Sequence, residues 1–175
     1  MQANEIQFGL TCTRRIQFCA GHRVEGHENK CAHFHGHNYV AFIHARADEL
    51  DEVGRVIDFS VLKGAIGGWI EDNWDHGFIL KATDALAIEC IRKFEPHPDN
   101  NVRRQKLFTM KYNPTAENMA LFLLEVSAKI LHGSGVQVHK VVLWETENCH
   151  AEASLSASTL PPYDLGRVSE AAEGC

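Results

Sequence analysis

No two of the six cysteines in this 175-residue chain are spaced C-x-x-C. Cysteine-type zinc fingers and dithiol redox motifs are thereby excluded. No apolar run approaches the about 20 residues that a membrane-spanning helix needs. The opening residues, MQANEIQFGLT, hold no basic stretch followed by an apolar one, so a secretory leader is not expected. The expected compartment is cytoplasmic, with reduced thiols. Basic residues form no large cluster and the net charge is −6, which argues against a DNA or RNA partner. There is no tandem repeat and no linker-like stretch, so a single domain is expected.

Histidine, by contrast, is concentrated. The stretch HENKCAHFHGHNY, residues 27–39, holds His27, His33, His35, His37 and Cys31. His35 and His37 form an H-x-H pair, and on a β-strand side chains two apart share a face. The run RRIQFCAGH just upstream ends in His22. If the two runs pair as antiparallel strands, three imidazoles can meet one ion. Three histidines without an obvious fourth protein ligand describe a catalytic zinc site, whose open position takes water or substrate. Cys31 is close in sequence, and a thiol beside a cation is readily ionised to act as base or nucleophile.

Periodicity places these residues. TCTRRIQFCAGH alternates as a strand with Ile16, Phe18, Ala20 and His22 on one face, and HGHNYVAFIHARA with His37, Tyr39, Ala41 and Ile43 on one face. His44 falls on the opposite face and is left out of the site. ADELDEVGRVID is turn-rich around Gly54. A helix follows, capped by Asp58 or Ser60, with Phe59, Leu62, Ile66, Trp69 and Ile70 as its buried stripe. Asp75 and His76 come next, where the chain turns. An aspartate can fix an imidazole's tautomer and let it carry a proton, although such a dipeptide alone is ordinary surface.

TDALAIECIRKFEP reads as a short helix capped by Thr83 or Asp84 and stopped by Pro96. HPDNNVRRQK reads as a basic loop, in which Arg103, Arg104 and Lys106 are solvated or meet an anionic substrate. LFTMKY opens with a short extended piece, after which a helix starting at Asn113–Thr115 carries Met119, Phe122, Leu123, Val126 and Ile130 inward and ends at Gly133. In VQVHKVVLWETEN, Glu145 shares a face with Val141 and Leu143. Burying a carboxylate is costly unless it is paired, so Glu145 is a candidate for holding a ligand's N–H groups. CHAEASLSA closes a hairpin, and TLPPYDLGRVSEAAEGC is a polar tail. The element order is ββααββ, an α+β fold.

Taken together, F-C-A-G-H (18–22), C-A-H-F-H-G-H-N-Y (31–39), V-I-D-F-S-V-L-K (56–63), D-H (75–76), P-T-A-E-N (114–118) and W-E-T-E-N (144–148) resemble the 6-pyruvoyl-tetrahydropterin synthase / 6-carboxytetrahydropterin synthase family. The resemblance implies a tunnelling fold (T-fold): a four-stranded antiparallel sheet with two helices on one face. Three subunits would join sheets into a barrel and two trimers stack as a hexamer, with active sites at subunit interfaces. Against short family members, a core of about 11–158 carries an insertion at about 81–106 and an extra tail at about 159–175. The family pattern makes His22, His35 and His37 ligands of Zn2+, Cys31 the catalytic thiol and Asp75 with His76 its proton relay. Glu145 would anchor the pterin, and Thr115 and Glu117 lie in a motif that also touches it.

The Cys-x-x-x-His-Gly-His spacing resembles the bacterial type that serves queuosine biosynthesis. It implies conversion of 7,8-dihydroneopterin triphosphate to 6-carboxy-5,6,7,8-tetrahydropterin, acetaldehyde and triphosphate. Three alternatives stand beside it. One is the 6-pyruvoyl product, formed without carbon–carbon cleavage. Another is a hydrolase of the GTP cyclohydrolase kind. The third is a non-catalytic zinc module closed by Cys31 or His33. His27 and His33 carry no assignment.

Overall fold

The alternation in TCTRRIQFCAGH becomes strand β1, Thr11–His22. HGHNYVAFIHARA becomes β2, His35–Ala47, its antiparallel neighbour. The computed structural model describes residues 9–93 and 104–155, and the structural statements below concern these. Arg103, the stop at Pro96 and the tail at about 159–175 lie outside them, as does most of the basic loop. In the β1–β2 register Phe18 pairs with Tyr39, Ala20 with His37 and His22 with His35. Phe18, Ala20 and His22 are buried on one strand, and Tyr39, Ala41, Ile43 and Ala45 on the other. Both expected inward faces are the observed ones. The strands are joined through a single 3-10 turn, Lys30–Ala32.

Asp58 caps the first helical stretch, accepting a hydrogen bond from the Ser60 N–H. Helix α1 (Phe59–Leu62) passes without a break through a widened π-helical turn, Lys63–Gly67, into α2 (Gly68–Asn73). Leu62, Ile66, Ile70 and Trp74 are buried, and Trp69 packs against the same core. Phe59, expected in that stripe, is 52% exposed. Phe59 is the first residue of the helix, in a turn where Phe59, Ser60 and Val61 are all exposed, and the buried stripe begins at Leu62.

The expected sheet of four antiparallel strands, β1 and β2 with β5 (Val136–Thr146) and β6 (Cys149–Ser154), forms one end of a six-stranded sheet that two more strands extend beyond β1, in the order β4-β3-β1-β2-β5-β6. The additional strands are β3, Gly77–Lys81, and β4, Lys106–Met110. They run parallel to β1 and to each other. Parallel neighbours need a crossover, and α3, Ala85–Arg92, lies in it, capped by Asp84. The expected insertion therefore carries a helix and ends at a strand. Five residues are too few to display a period, and GFILK is buried on both sides rather than alternately, as parallel strands are.

Helix α4, Ala116–Ile130, starts on a Thr115 cap. It buries Met119 and Leu123 as expected, but also Ala120, Leu124 and Ser127, because it lies across both β5 (Val136–Thr146) and β6 (Cys149–Ser154). Phe122 and Ile130 pack at the margin of the core. β5 and β6 form the expected hairpin. The sheet's other face is polar or half-exposed: Arg15, Gln17 and Asn38 are exposed, and Val40, Phe42 and His44 partly so. His44 accepts or donates at Thr13 Oγ1, 2.9 Å away, apart from the histidine cluster.

Candidate active site

The register that pairs His22 with His35 and Ala20 with His37 brings three imidazoles to one end of the buried sheet face. One nitrogen from each of His22, His35 and His37 lies within 4.8 Å of the others. Ring centroids stand 4.3 Å apart for His22–His35, 5.2 Å for His22–His37 and 5.1 Å for His35–His37.

Two rings are oriented by backbone carbonyls. His22 Nδ1 lies 2.8 Å from the Pro114 carbonyl, and His35 Nδ1 lies 2.8 Å from the His33 carbonyl. A carbonyl only accepts, so each Nδ1 carries the proton and each Nε2 lone pair is left for the cluster. His22 Nε2 is buried and has no hydrogen-bond partner. A buried, unpartnered nitrogen facing two more imidazoles is what a zinc ion would satisfy, so the residues fit the metal. Burial, opposed by the Pro114 carbonyl and reinforced by His35 and His37, lowers the His22 pKa to about 4. Burial also lowers His37, against the pull of Glu145. Both rings are therefore neutral at physiological pH, the form that binds metal. Among the described residues neither Cys31 nor His33 joins this group, which leaves it three-membered and open.

Glu145, on β5, stands beside the cluster. Its carboxylate lies 3.5 Å from His22 Nε2 and 3.8 Å from His37 Nε2, and remains partly exposed. Tyr39, fully buried, faces the same group; burial raises its phenol, and the charges of Glu145 and Cys31 raise it further. Cys31 itself sits in the Lys30–Ala32 turn, half-buried and free, where its carbonyl accepts from the Val24 N–H.

Asp75 and His76 occupy the turn between α2 and β3. His76 Nδ1 lies 2.9 Å from Asp75 Oδ2, and the other carboxylate oxygen accepts from the Cys19 N–H at 2.8 Å. His76 is 80% exposed and borders a hollow of about 420 Å³ with Cys19, Gly21, Gly36, Asn38, Phe78 and Gln105. Among the described residues no hydrogen bond or ion pair joins Cys31 to Asp75 or His76 within the chain.

Thr115 is the N-cap of α4, accepting from the Asn118 N–H, and Glu117 is exposed in its first turn. Next to Thr115, the Pro114 carbonyl is the site residue that sequence reasoning misses, because a backbone acceptor leaves no trace in residue type. Asn113 ties this turn to the loop after β1: its amide oxygen accepts from the Glu25 N–H and its amide nitrogen donates to the Glu25 carbonyl, each at 2.9 Å. His27 Nδ1 accepts from the Asn29 N–H, and His33 contributes its carbonyl. Of the basic residues weighed as anion contacts, Lys106 spends its ammonium on the carbonyls of Glu71 and Asp75.

The family profile of 6-pyruvoyl tetrahydropterin synthase matches residues 11–155. A Rickettsia bellii protein named 6-carboxy-5,6,7,8-tetrahydropterin synthase is 43% identical over 144 residues, covering 82% of this chain and 99% of that one. An Aquifex aeolicus protein of the same name is 35% identical over 159 residues, covering 80% and 94%. Among solved structures, a Wolinella succinogenes protein superposes with a TM-score of 0.70 at 23% identity, covering 86% of this chain and 100% of the other. The Caenorhabditis elegans 6-pyruvoyl tetrahydropterin synthase gives 0.58 at 23% identity, covering 85% and 96%. Those two establish the tunnelling fold. With the profile spanning most of the chain and relatives this similar over nearly their whole length, the chain belongs to the 6-pyruvoyl tetrahydropterin synthase family.

Proposed function

We propose that this chain is a zinc-dependent lyase that converts 7,8-dihydroneopterin triphosphate and water to 6-carboxy-5,6,7,8-tetrahydropterin, acetaldehyde and triphosphate, a step of queuosine and other 7-deazapurine biosynthesis. The observation that carries it is the open cluster of His22, His35 and His37, with proton-free nitrogens turned to one point beside the Glu145 carboxylate. Relatives bearing the carboxy-synthase name support the product.

Zn2+ held by the three histidines supplies Lewis acidity that makes the C–H beside the substrate's side-chain hydroxyls easier to remove. Glu145 accepts the pterin's N–H groups and sets the ring's orientation, with Thr115 and Glu117 at the rim. Cys31 as thiolate takes the side-chain carbon's proton. His76, held through Nδ1 by Asp75, hands protons between that carbon and solvent. Because Cys31 and His76 do not meet within one chain, the relay is completed by a second copy, in a hexamer built as a dimer of trimers. The exposed edges of β4 and β6 are where copies would join sheets.

The test is an anaerobic incubation of zinc-loaded protein with 7,8-dihydroneopterin triphosphate, with products identified by mass spectrometry. Acetaldehyde and 6-carboxytetrahydropterin uphold the reading. A 6-pyruvoyl product, the second reading favoured by the family profile's own name, replaces the product and keeps the site. No turnover overturns the proposal.

A further inference from the structure

His76 is a non-glycine residue with φ 57, in the left-handed region that side chains disfavour. Such a conformation persists only where its surroundings hold it. Four contacts do so. The His76 N–H donates to the Cys19 carbonyl at 2.7 Å, and the Gly77 N–H to the Trp74 carbonyl at 3.0 Å. Gln105 Nε2 reaches the His76 carbonyl at 3.3 Å. Lys106 Nζ donates to the Asp75 carbonyl at 2.8 Å and to the Glu71 carbonyl as well.

The last contact is the unusual one. Carbonyls at a helix C-terminus lack intrahelical donors, and a cation there is favoured by the helix dipole. Lys106 meets both needs from another strand, 31 residues on. Its stem reaches them by crossing Gly77, with which it pairs in the β3–β4 register. A Cβ on Gly77 would stand 3.1 Å from Lys106 Cγ and Cδ and 3.2 Å from the Trp74 carbonyl. Lys106 also adds to the contacts that hold Asp75 ionised: burial raises that carboxyl, and the Cys19 N–H, His76 and Lys106 together outweigh it.

We propose that Lys106 is a positioning residue for the Asp75–His76 pair: from β4 its ammonium clamps the end of α2 and fixes the backbone turn that aims the His76 imidazole. This rests on the relay role given to Asp75 and His76 above. It also sets Lys106 apart from a residue held free for a substrate phosphate, since two of its three N–H donors are committed to backbone carbonyls.

The experiment uses the zinc-loaded full chain carrying Lys106→Met, which keeps the stem, and Lys106→Arg, which keeps donors. Steady-state kinetics with 7,8-dihydroneopterin triphosphate are paired with NMR of the His76 imidazole in substrate-free protein. Lys106→Met is expected to lower kcat about 10- to 100-fold with KM within about twofold, and to shift the His76 signals. Zinc content stays equal, and Lys106→Arg recovers most of the loss. A raised KM with kcat held would mark Lys106 as a phosphate contact and overturn the proposal. Unchanged kcat, or unchanged His76 signals, would also overturn it. Should Lys106→Met not fold, Gly77→Ala, which displaces the stem and keeps the ammonium, carries the same expectation and the same overturning results. If the wild type turns nothing over, the functional reading fails and the NMR arm alone decides the clamp.

Discussion

His22 is where three requirements meet in one side chain. It ends a strand, fills a buried position and points a proton-free nitrogen at two other imidazoles, and the Pro114 carbonyl is what makes these compatible. His35→Ala removes one of three ligands, so it is expected to lose zinc on dialysis; full occupancy by atomic absorption would refute its place in the cluster. Cys31→Ala, outside the cluster, is expected to keep zinc and lose turnover. Asp75 gives a pH prediction. Its folded pKa lies below the ordinary carboxylate value, with the Cys19 N–H and His76 overcoming the effect of burial. The unfolded chain therefore takes up the proton first as pH falls. The stabilisation from Asp75 is complete above about pH 4 and is lost as pH drops through its folded value. Denaturant midpoints at pH 6 and pH 3 should fall more steeply in the wild type than in Asp75→Asn; parallel falls would contradict this.

At the scale of elements, β1 and β2 hold the site by approaching closely at a glycine pair, Gly21 opposite Gly36. A Cβ on Gly36 would stand 2.9 Å from the Ala20 carbonyl, and one on Gly21 would stand 2.6 Å from the Phe78 ring. A ring can swing aside, whereas a ladder carbonyl cannot. Gly36→Ala should cost about 1–3 kcal/mol and weaken zinc binding, and Gly21→Ala should cost less, both read by denaturation with and without zinc. The same contrast between side chain and backbone explains what could be read in advance. The H-x-H pair and the inward faces of β1, β2 and β5 were legible because period two is written in residue types. Asp58, Asp84 and Thr115 were legible as caps for a similar reason. β3 was not, being five residues long and buried on both sides, and β4 was legible only as a short extended piece, with nothing in it to show that it joins the sheet. Phe59 was misplaced because helical spacing marks a face but not where along the helix its burial begins. The carbonyl anchors at His33 and Pro114 were invisible, since any residue supplies a carbonyl. The clamp of Lys106 was hidden because a lysine in a basic stretch looks solvated.

At the scale of the whole molecule, the proposal that a second copy completes the relay makes a further prediction. Cys31→Ala and His76→Ala proteins should each be inactive, yet refolding them together should restore activity. Random mixing gives each site an even chance of a sound thiol and of a sound relay, so about a quarter of sites recover. Activity that stays at zero after verified subunit exchange would place the whole relay within one chain. No helix among the described residues is long and apolar enough to cross a membrane. The β1–β2 register has a last consequence. Side chains alternate along a strand, so slipping β2 by one residue would send His35 and His37 to the far side of the sheet while His22 stayed behind. Only one alignment of the hairpin assembles a complete set of ligands. On the zinc-binding reading proposed above, metal uptake would proofread folding: chains paired out of register could not grip the ion, and the stabilisation that binding brings would go to the correctly aligned molecules alone.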